Sequence, residues 1–382
     1  MADLSRRSVL QAHLSLALGL ITARQGIAAA PPILGCYVGN PNGNDPREMA
    51  AFEQGFDKFS AALGSAPAFM NVFTDFSKDW DEWLPNARWS AWSWSRSSRT
   101  RNVTPVIGLP MATNADWARQ PPTGTFRDIA AGRRDRVLSG IVEAWRDNGF
   151  KTLYLRPGYE MNATFMPWFM GRSADEVAAW TAAFARIAAV ARGVGGVKAR
   201  LVWNPVCINY TDADVASAYP GDAAVDVVGI DLYNNFWPLT LYSFAAGRTE
   251  PNISVWARDP VNRQHFWDYP SAREAEPEGQ KTVGWGMVRA LDFATKRGKP
   301  VAVCETGVGV NPDHPGHGIA DEAMFPAYLA ARLFAPKAPR VEFVNIWDVN
   351  VGDGGWRFSD GSKPKAQAAW RKTFGGMGAR PA

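Results

Sequence analysis

The chain has 382 residues, of which 46% are hydrophobic and 20% charged, and its formal net charge is +4. That composition belongs to a globular protein with length for one large core or two medium ones, and it excludes a disordered or fibrous chain. Half of that net charge, +2, comes from the first thirty residues (Arg6, Arg7 and Arg24 against Asp3), and no sustained Lys/Arg run follows, which argues against nucleic acid as a partner.

Residues 1–30 are expected to be a leader and not part of the fold. Ser5-Arg6-Arg7-Ser8-Val9-Leu10-Gln11 resembles a twin-arginine export signal, and the apolar stretch from Leu14 to Ile27 leads to small residues, Ala28-Ala29-Ala30, that suit a signal peptidase. The stretch is short and broken by Arg24, so a permanent anchor is not expected, and no later window is long enough to span a membrane. The expectation is a periplasmic or secreted protein with no membrane association after cleavage, its residues 31–382 forming one domain.

Ile33 to Val38 reads as a first strand, ended by Gly39-Asn40-Pro41. Residues 46–63 carry apolar positions at helical spacing: Met49, Phe52, Phe56 and Phe59. A second strand, Ala68 to Phe73, opens a stretch read as a long loop with Trp80, Trp83, Trp89, Trp92 and Trp94. Val103 to Leu109 is a third strand stopped by Pro110, and Phe126 to Asn148 is helical in pattern, closed by Gly149. Thr152 to Arg156 is a short buried strand stopped by Pro157-Gly158. Ser173-Ala174-Asp175-Glu176 is a capping box opening an Ala-rich helix to about Arg192. Strands follow at Arg200 to Asn204 and Val225 to Leu232, then an irregular insertion from Asn234 to about Gly279. Thr282 to Arg297 is helical, Val301 to Gly307 a strand, Glu322 to Phe334 a helix, Val341 to Trp347 a last strand, and Lys363 to Phe374 a closing helix. Eight strands alternating with helices imply parallel pairing, and eight such units imply closure: an α/β protein with a (β/α)8 TIM barrel and long βα loops.

Two carboxylates stand where a barrel places chemistry. Glu160 lies just past the end of one buried strand among Tyr159, Asn162, Phe165 and Trp168, and Glu305 closes another at Val301-Ala302-Val303-Cys304-Glu305-Thr306-Gly307. Paired carboxylates facing one sugar ring are the equipment of glycoside hydrolysis. Cys36, Cys207 and Cys304 lack metal-site spacing and read as buried thiols, a Cys36–Cys207 bridge remaining open. The side chain of Cys304 is expected to point opposite to that of Glu305. His314 and His317 fall in a Pro/Gly-rich loop. Neither a metal nor another cofactor is called for. Asp75, Asp231 and Asp348 also lie at strand ends, where each could bind sugar hydroxyls or cap the next helix.

Several motifs in order resemble glycoside hydrolase family 26, the β-mannanase family within the clan of retaining (β/α)8 glycosidases. They are residues 126–135, Arg156-Pro157-Gly158-Tyr159-Glu160-Met161-Asn162, Val202-Trp203-Asn204-Pro205, Tyr219-Pro220-Gly221-Asp222 with Val225 to Tyr233, and Pro300 to Gly307, together spanning about residues 126–307. The resemblance implies that Glu160 is the general acid/base and Glu305 the nucleophile, with Arg156 and Asn162 beside the acid/base. It implies that Tyr233 hydrogen-bonds the nucleophile, that Trp347 is the platform under the sugar at the cleavage point, and that Trp203 and Trp168 lie nearby. Three positions depart from the family pattern: Tyr159 replaces a His before the acid/base, Ala163-Thr164-Phe165 replaces Gly-x-Trp, and Gly108-Leu109-Pro110-Met111 lacks a His. All three surround the central sugar, so they bear on substrate more than on reaction type.

The function implied is an exported retaining endo-β-glycosidase acting on a polysaccharide or oligosaccharide, with β-1,4-mannan as first choice. Xylan, mixed-linkage glucan and a bacterial exopolysaccharide are the alternatives, together with a non-catalytic glycan-binding barrel. Indole faces stack on pyranose rings, and several of the seventeen tryptophans fall in expected βα loops: Trp80, Trp83, Trp237, Trp256, Trp267 and Trp356.

Overall fold

The computed structural model describes residues 31–117, 121–207, 214–235, 259–270, 284–310, 318–351 and 354–379. The twin-arginine leader, most of the insertion after Asn234 with Trp237 and Trp256, and the loop holding His314 and His317 lie outside the described residues.

Eight parallel strands close into a barrel in chain order: β1 (Leu34–Tyr37), β2 (Phe69–Phe73), β3 (Thr104–Leu109), β4 (Thr152–Pro157), β5 (Lys198–Trp203), β6 (Val227–Tyr233), β7 (Val301–Gly307) and β8 (Val341–Trp347). Closure is made by β8 on β1, with Leu34 opposite Val344 and Tyr37 opposite Trp347. The chain is a (β/α)8 TIM barrel. Its helices are α1 (Pro46–Leu63), α2 (Trp80–Arg96), α3 (Asn114–Trp117), α4 (Thr123–Ala130), α5 (Asp135–Asp147), α6 (Ala174–Gly193), α7 (Pro260–Asp268), α8 (Met287–Lys296), α9 (Met324–Leu333) and α10 (Pro364–Phe374). A short hairpin, β9 (Asn350–Val351) with β10 (Gly354–Gly355), follows β8.

Local chemistry explains most boundaries. Asp45 caps α1 through main-chain N–H groups of Arg47 and Glu48, with Pro46 in the first turn, where its missing N–H costs nothing. The capping box at Ser173 and Glu176 starts α6 as its sequence pattern requires. Gly149 ends α5 at φ 95°, a conformation a Cβ would oppose.

Two elements differ from the sequence reading. The Trp-rich stretch after β2 is the helix α2 and not a loop: Trp80, Trp83, Ala87, Ala91 and Trp94 recur at helical spacing and bury one face. Trp80 and Trp83 therefore pack in the core and do not line a cleft, and so does Trp267 of α7, against Phe325 and Tyr328. The single helix expected over 126–148 is two, because Gly132 at φ 82° turns the chain between α4 and α5.

The core has two compartments. One lies between strands and helices and holds most of the buried aromatics. The other fills the barrel lumen, where Val106, Tyr154, Val202, Val227, Ala302, Cys304 and Phe343 pack together from six different strands. Cys36, Cys207 and Cys304 are buried free thiols, so the Cys36–Cys207 bridge is not formed.

Candidate active site

The lumen changes from apolar to charged toward the C-terminal ends of the strands. On β4, alternation sends Tyr154 and then Arg156 inward, and the Arg156 guanidinium is wholly buried. Its Nε donates to Asn204 Oδ1 at 2.5 Å, and its Nη2 donates both to Asp231 Oδ2 at 2.7 Å and to Glu305 Oε1 at 2.8 Å. One arginine thus ties together the exits of β4, β5, β6 and β7. Burial opposes its charge, but the carboxylates of Asp231 and Glu305 outweigh that, and its pKa is raised.

Past β4 the backbone makes a tight, left-handed turn. Gly158 has φ 55° and Glu160 has φ 53°, the one non-glycine residue with positive φ among the described residues. That conformation costs a Glu about 1–3 kcal/mol and persists only where surrounding contacts over-determine it. Here the Glu160 N–H donates to the Asn204 carbonyl at 2.7 Å, and the Glu160 carbonyl accepts from the Ala163 N–H at 2.8 Å. Gly158 has no room for a side chain, since a Cβ would come within 2.7 Å of Met111 Sδ.

Glu305 reaches the lumen through an irregularity in β7. Ile230 pairs with Val303, but Asp231 pairs with Glu305, so β7 carries one residue more than β6 at this point. The bulge overturns the expectation that Cys304 and Glu305 point to opposite sides: Cys304 packs in the lumenal cluster, and Glu305 still meets Arg156. Its Oε2 accepts from the Tyr233 hydroxyl at 3.2 Å. Burial first, then the charge of Glu305, hold the Tyr233 phenol well above its ordinary pKa, so the hydroxyl stays protonated as a donor.

One carboxylate oxygen from each of Glu160, Asp231 and Glu305 lies within 4.8 Å of the other two. Among the described residues these three have a spacing that could hold a metal ion, and the Arg156 guanidinium already supplies positive charge to two of them. Burial raises the Asp231 pKa well above the ordinary carboxyl value; Arg156 works against that and Glu305 adds to it.

An aromatic wall stands beside the carboxylates. Trp347, at the end of β8, is half-buried and lies 4.3 Å from Tyr37 and 5.7 Å from Phe73, ring centre to ring centre. Phe73 in turn lies 5.6 Å from Tyr159. Gly108 on β3 makes room for this wall, because a Cβ there would sit 2.5 Å from the Phe73 ring and 3.1 Å from Tyr159. Burial and the nearby Glu305 push the Tyr37 phenol up to about 12.

Comparison with solved structures finds barrels that superpose over nearly the whole chain. GH26C from Muricauda sp. MAR_2010_75 aligns at TM-score 0.54 and 14% identity, covering 94% of this chain and 87% of that one. An endo-β-1,4-mannanase of Cellulomonas fimi aligns at 0.53 and 15%, covering 96% and 78%. The mannanase man26 of Bacillus subtilis aligns at 0.50 and 15%, covering 95% and 90%. The resemblance to glycoside hydrolase family 26 holds. At these identities it is a likeness of fold. Over 110 residues the chain is also 32% identical to endoglucanase H of Acetivibrio thermocellus; the match takes 28% of this chain and 12% of that protein, so it spans about an eighth of that relative's length. No family model matches the chain.

Of the residues that the family 26 likeness singled out, Glu160, Glu305, Arg156, Tyr159 and Tyr233 converge at one end of the lumen, with Trp347 on the wall beside them. Others are placed differently. Trp203, expected beside the substrate, faces the helices: it is fully buried against Trp285, Phe293 and Tyr219, and its Nε1 donates to the Ala218 carbonyl at 3.1 Å. Its neighbour Asn204 takes the inward position. Trp168 is also fully buried; it backs Tyr159 at 4.8 Å and donates to the Tyr159 carbonyl at 2.6 Å, so it buttresses the site from behind. Asn162 is buried with its amide clamped on the Val206 main chain, donating to the carbonyl and accepting from the N–H, both at 2.9 Å. It fixes the loop after β5 against the Glu160 turn. Arg156 likewise holds carboxylates inside the lumen and presents no surface to a sugar.

Asn204 and Asp231 also join this cluster, beyond the residues that the family 26 likeness singles out. Asp231 had a usable signal: Gly229, Asp231 and Tyr233 share one face of β6 by alternation, so fixing Tyr233 inward fixes Asp231 inward. Asn204 had its place at a strand end, inside the stretch Val202-Trp203-Asn204-Pro205 that resembles family 26, but nothing to set its direction.

Proposed function

We propose that the protein is a retaining endo-β-glycosidase in which Glu305 is the nucleophile and Glu160 the general acid/base. The observation that carries this is the approach of their carboxylate oxygens within 4.8 Å at the ends of β7 and β4. Retaining glycosidases need carboxyl groups about 5–5.5 Å apart, whereas inverting ones leave about 6.5–9.5 Å for a water.

In this reading Glu305, aligned by Arg156 and Tyr233, attacks the anomeric carbon while Glu160 gives its proton to the departing glycosidic oxygen. Glu160, now a carboxylate, then takes a proton from the water that cleaves the glycosyl-enzyme, and Glu305 leaves as a carboxylate. Trp347 is the face on which the sugar stacks, and Tyr159 shapes the pocket wall.

The substrate proposed first is β-1,4-mannan, supported by the mannanases among the superposed barrels. A β-glucan is the second reading, supported by the segment shared with an endoglucanase. Export by the twin-arginine-like leader belongs to the same proposal; N-terminal sequencing of protein recovered from the expressing cells tests it, with cleavage after Ala30 expected. The central experiment is a panel of mannan, xylan, mixed-linkage glucan and exopolysaccharides with reducing-sugar readout and anomeric NMR of the first product. Retention of configuration, loss of cleavage in Glu305→Ala and slowing by orders of magnitude in Glu160→Ala are expected. Inverted product, or near-full activity in both variants, ends the proposal. Saturable binding without any cleavage by the wild type would point instead to a glycan-binding barrel.

A further inference from the structure

The bulge that turns Glu305 inward has its own support across the lumen. On one side of β7, two residues pass for one of β6; on the other, the pairs Val303 with Val344 and Thr306 with Ile346 show the same extra residue against β8. Counting from lumenal Ala302, strict alternation would send Glu305 outward with Val303. A bulge also leaves main-chain groups out of the ladder, and a buried carbonyl left alone is costly. The Cys304 carbonyl is met by Asn71 Nδ2 of β2 at 2.8 Å. The other end of that amide, Asn71 Oδ1, accepts from Asn345 Nδ2 of β8 at 2.7 Å. Both asparagines are fully buried. On β1, a Cβ at Gly35 would fall 1.7 Å from Asn345 Oδ1, so the glycine vacates the volume that the Asn345 amide fills.

We propose that Asn71 and Asn345 are positioning residues for the nucleophile. Through the Cys304 carbonyl they hold the β7 bulge in the register that presents Glu305 to Arg156, Tyr233 and the substrate. The inference rests on the reading of Glu305 as nucleophile. Chemistry dictates the residue type: the carbonyl needs a donor, and Asn345 orients Asn71 so that its NH2 and not its oxygen faces Cys304. An ionised aspartate of the same shape cannot serve at position 71. Asn345→Asp removes the donor to Asn71 Oδ1 and lets the Asn71 amide flip.

The test compares wild type with Asn71→Leu, Asn71→Asp, Asn345→Asp, Gly35→Ala and Glu305→Ala, using β-1,4-mannan or whichever polysaccharide of the panel the wild type cleaves fastest. For each folded variant at positions 71, 345 and 35, kcat falls about a hundredfold, the scale of an ångström's misplacement of a reacting group, while KM stays within about twofold. A crystal structure of Asn71→Leu shows the Glu305 carboxylate away from Arg156. Wild-type kcat in folded Asn71→Leu, or Glu305 still bonded to Arg156 in that structure, overturns the inference. Should the Leu variant not fold, Gly35→Ala decides, since it displaces Asn345 while keeping both amides; unchanged kcat there refutes the idea. Activity surviving in Glu305→Ala would overturn the nucleophile reading itself. An inactive Glu305→Ala beside wild-type rates at positions 71, 345 and 35 sinks this inference alone.

Discussion

Removing the Arg156 guanidinium is the sharpest probe of the lumenal charge network. Arg156→Met keeps much of the side-chain volume but deletes donors to Asp231 at 2.7 Å, Glu305 at 2.8 Å and Asn204 at 2.5 Å. Breaking a buried ion pair by removing one partner typically costs about 3–5 kcal/mol, because a carboxylate is left without compensation. At about 2 °C per kcal/mol for a chain of this size, the melting temperature near pH 7 should fall by roughly 6–10 °C. The loss should also depend on pH in a defined direction. Burial already raises the Asp231 pKa with Arg156 in place, and deleting the guanidinium removes the largest influence that lowers it, leaving the hydrogen bonds from Asn204 and the Glu305 main chain. A carboxyl whose folded pKa is raised destabilises the protein above that pKa and is relieved as pH falls through it. The difference in melting temperature between Arg156→Met and wild type should therefore shrink from pH 8 to pH 5. Differential scanning calorimetry at four or five pH values measures it. A deficit below about 1 kcal/mol, or one that does not change with pH, would refute the idea that a single guanidinium compensates these buried carboxylates.

Tyr233→Phe removes one hydrogen bond to Glu305, worth about 1.5–3 kcal/mol when the acceptor is charged, so kcat should drop about 10- to 100-fold with KM nearly unchanged, and the melting temperature should fall by about 3–6 °C; steady-state kinetics and calorimetry check this. Trp347→Ala should raise KM severalfold with little loss of stability. Trp203→Ala, on the helix side, should leave KM alone in the folded fraction while costing about 3–5 kcal/mol in urea denaturation. Lys363 is buried with its ammonium on the carbonyls of Val308 and Gly355, and burial lowers its pKa to about 8, against the pull of Asp348, Asp360 and Asp321. Its folded pKa lies below the unfolded value, so wild type gains stability over Lys363→Met as pH rises from 8 toward 10.5, by about 3 kcal/mol at most; urea midpoints at pH 7.5 and 10 measure the change.

Much of this molecule was legible in its residues. Apolar runs ended by Pro157-Gly158 or Gly307, alternating with helical patterns, are local signals, and each survives folding because the breaker acts on its own backbone. Glu160 and Glu305 could be singled out because there are two of them, each at the C-terminal end of a buried strand, which is the pair that glycoside hydrolysis needs. The Trp-rich segment 80–96 misled because its aromatic content suggested a cleft loop, whereas its spacing was that of a helix with one buried face.

What local pattern did not decide was direction. Strands of a parallel barrel are apolar on both faces, so nothing in Val202-Trp203-Asn204 says which side chain enters the lumen; closure of the sheet chose Asn204 and sent Trp203 to the helices. Nor could strand periodicity foresee the extra residue at Cys304, since a bulge is a property of two neighbouring strands and of Asn71 and Asn345 reaching across from others. Sequence alone determined which elements form and which acids end them, because turns, caps and alternation act over a few residues. The tertiary structure decided which of those side chains meet, because ion pairs such as Arg156 with Glu305 exist only once distant strands are brought side by side.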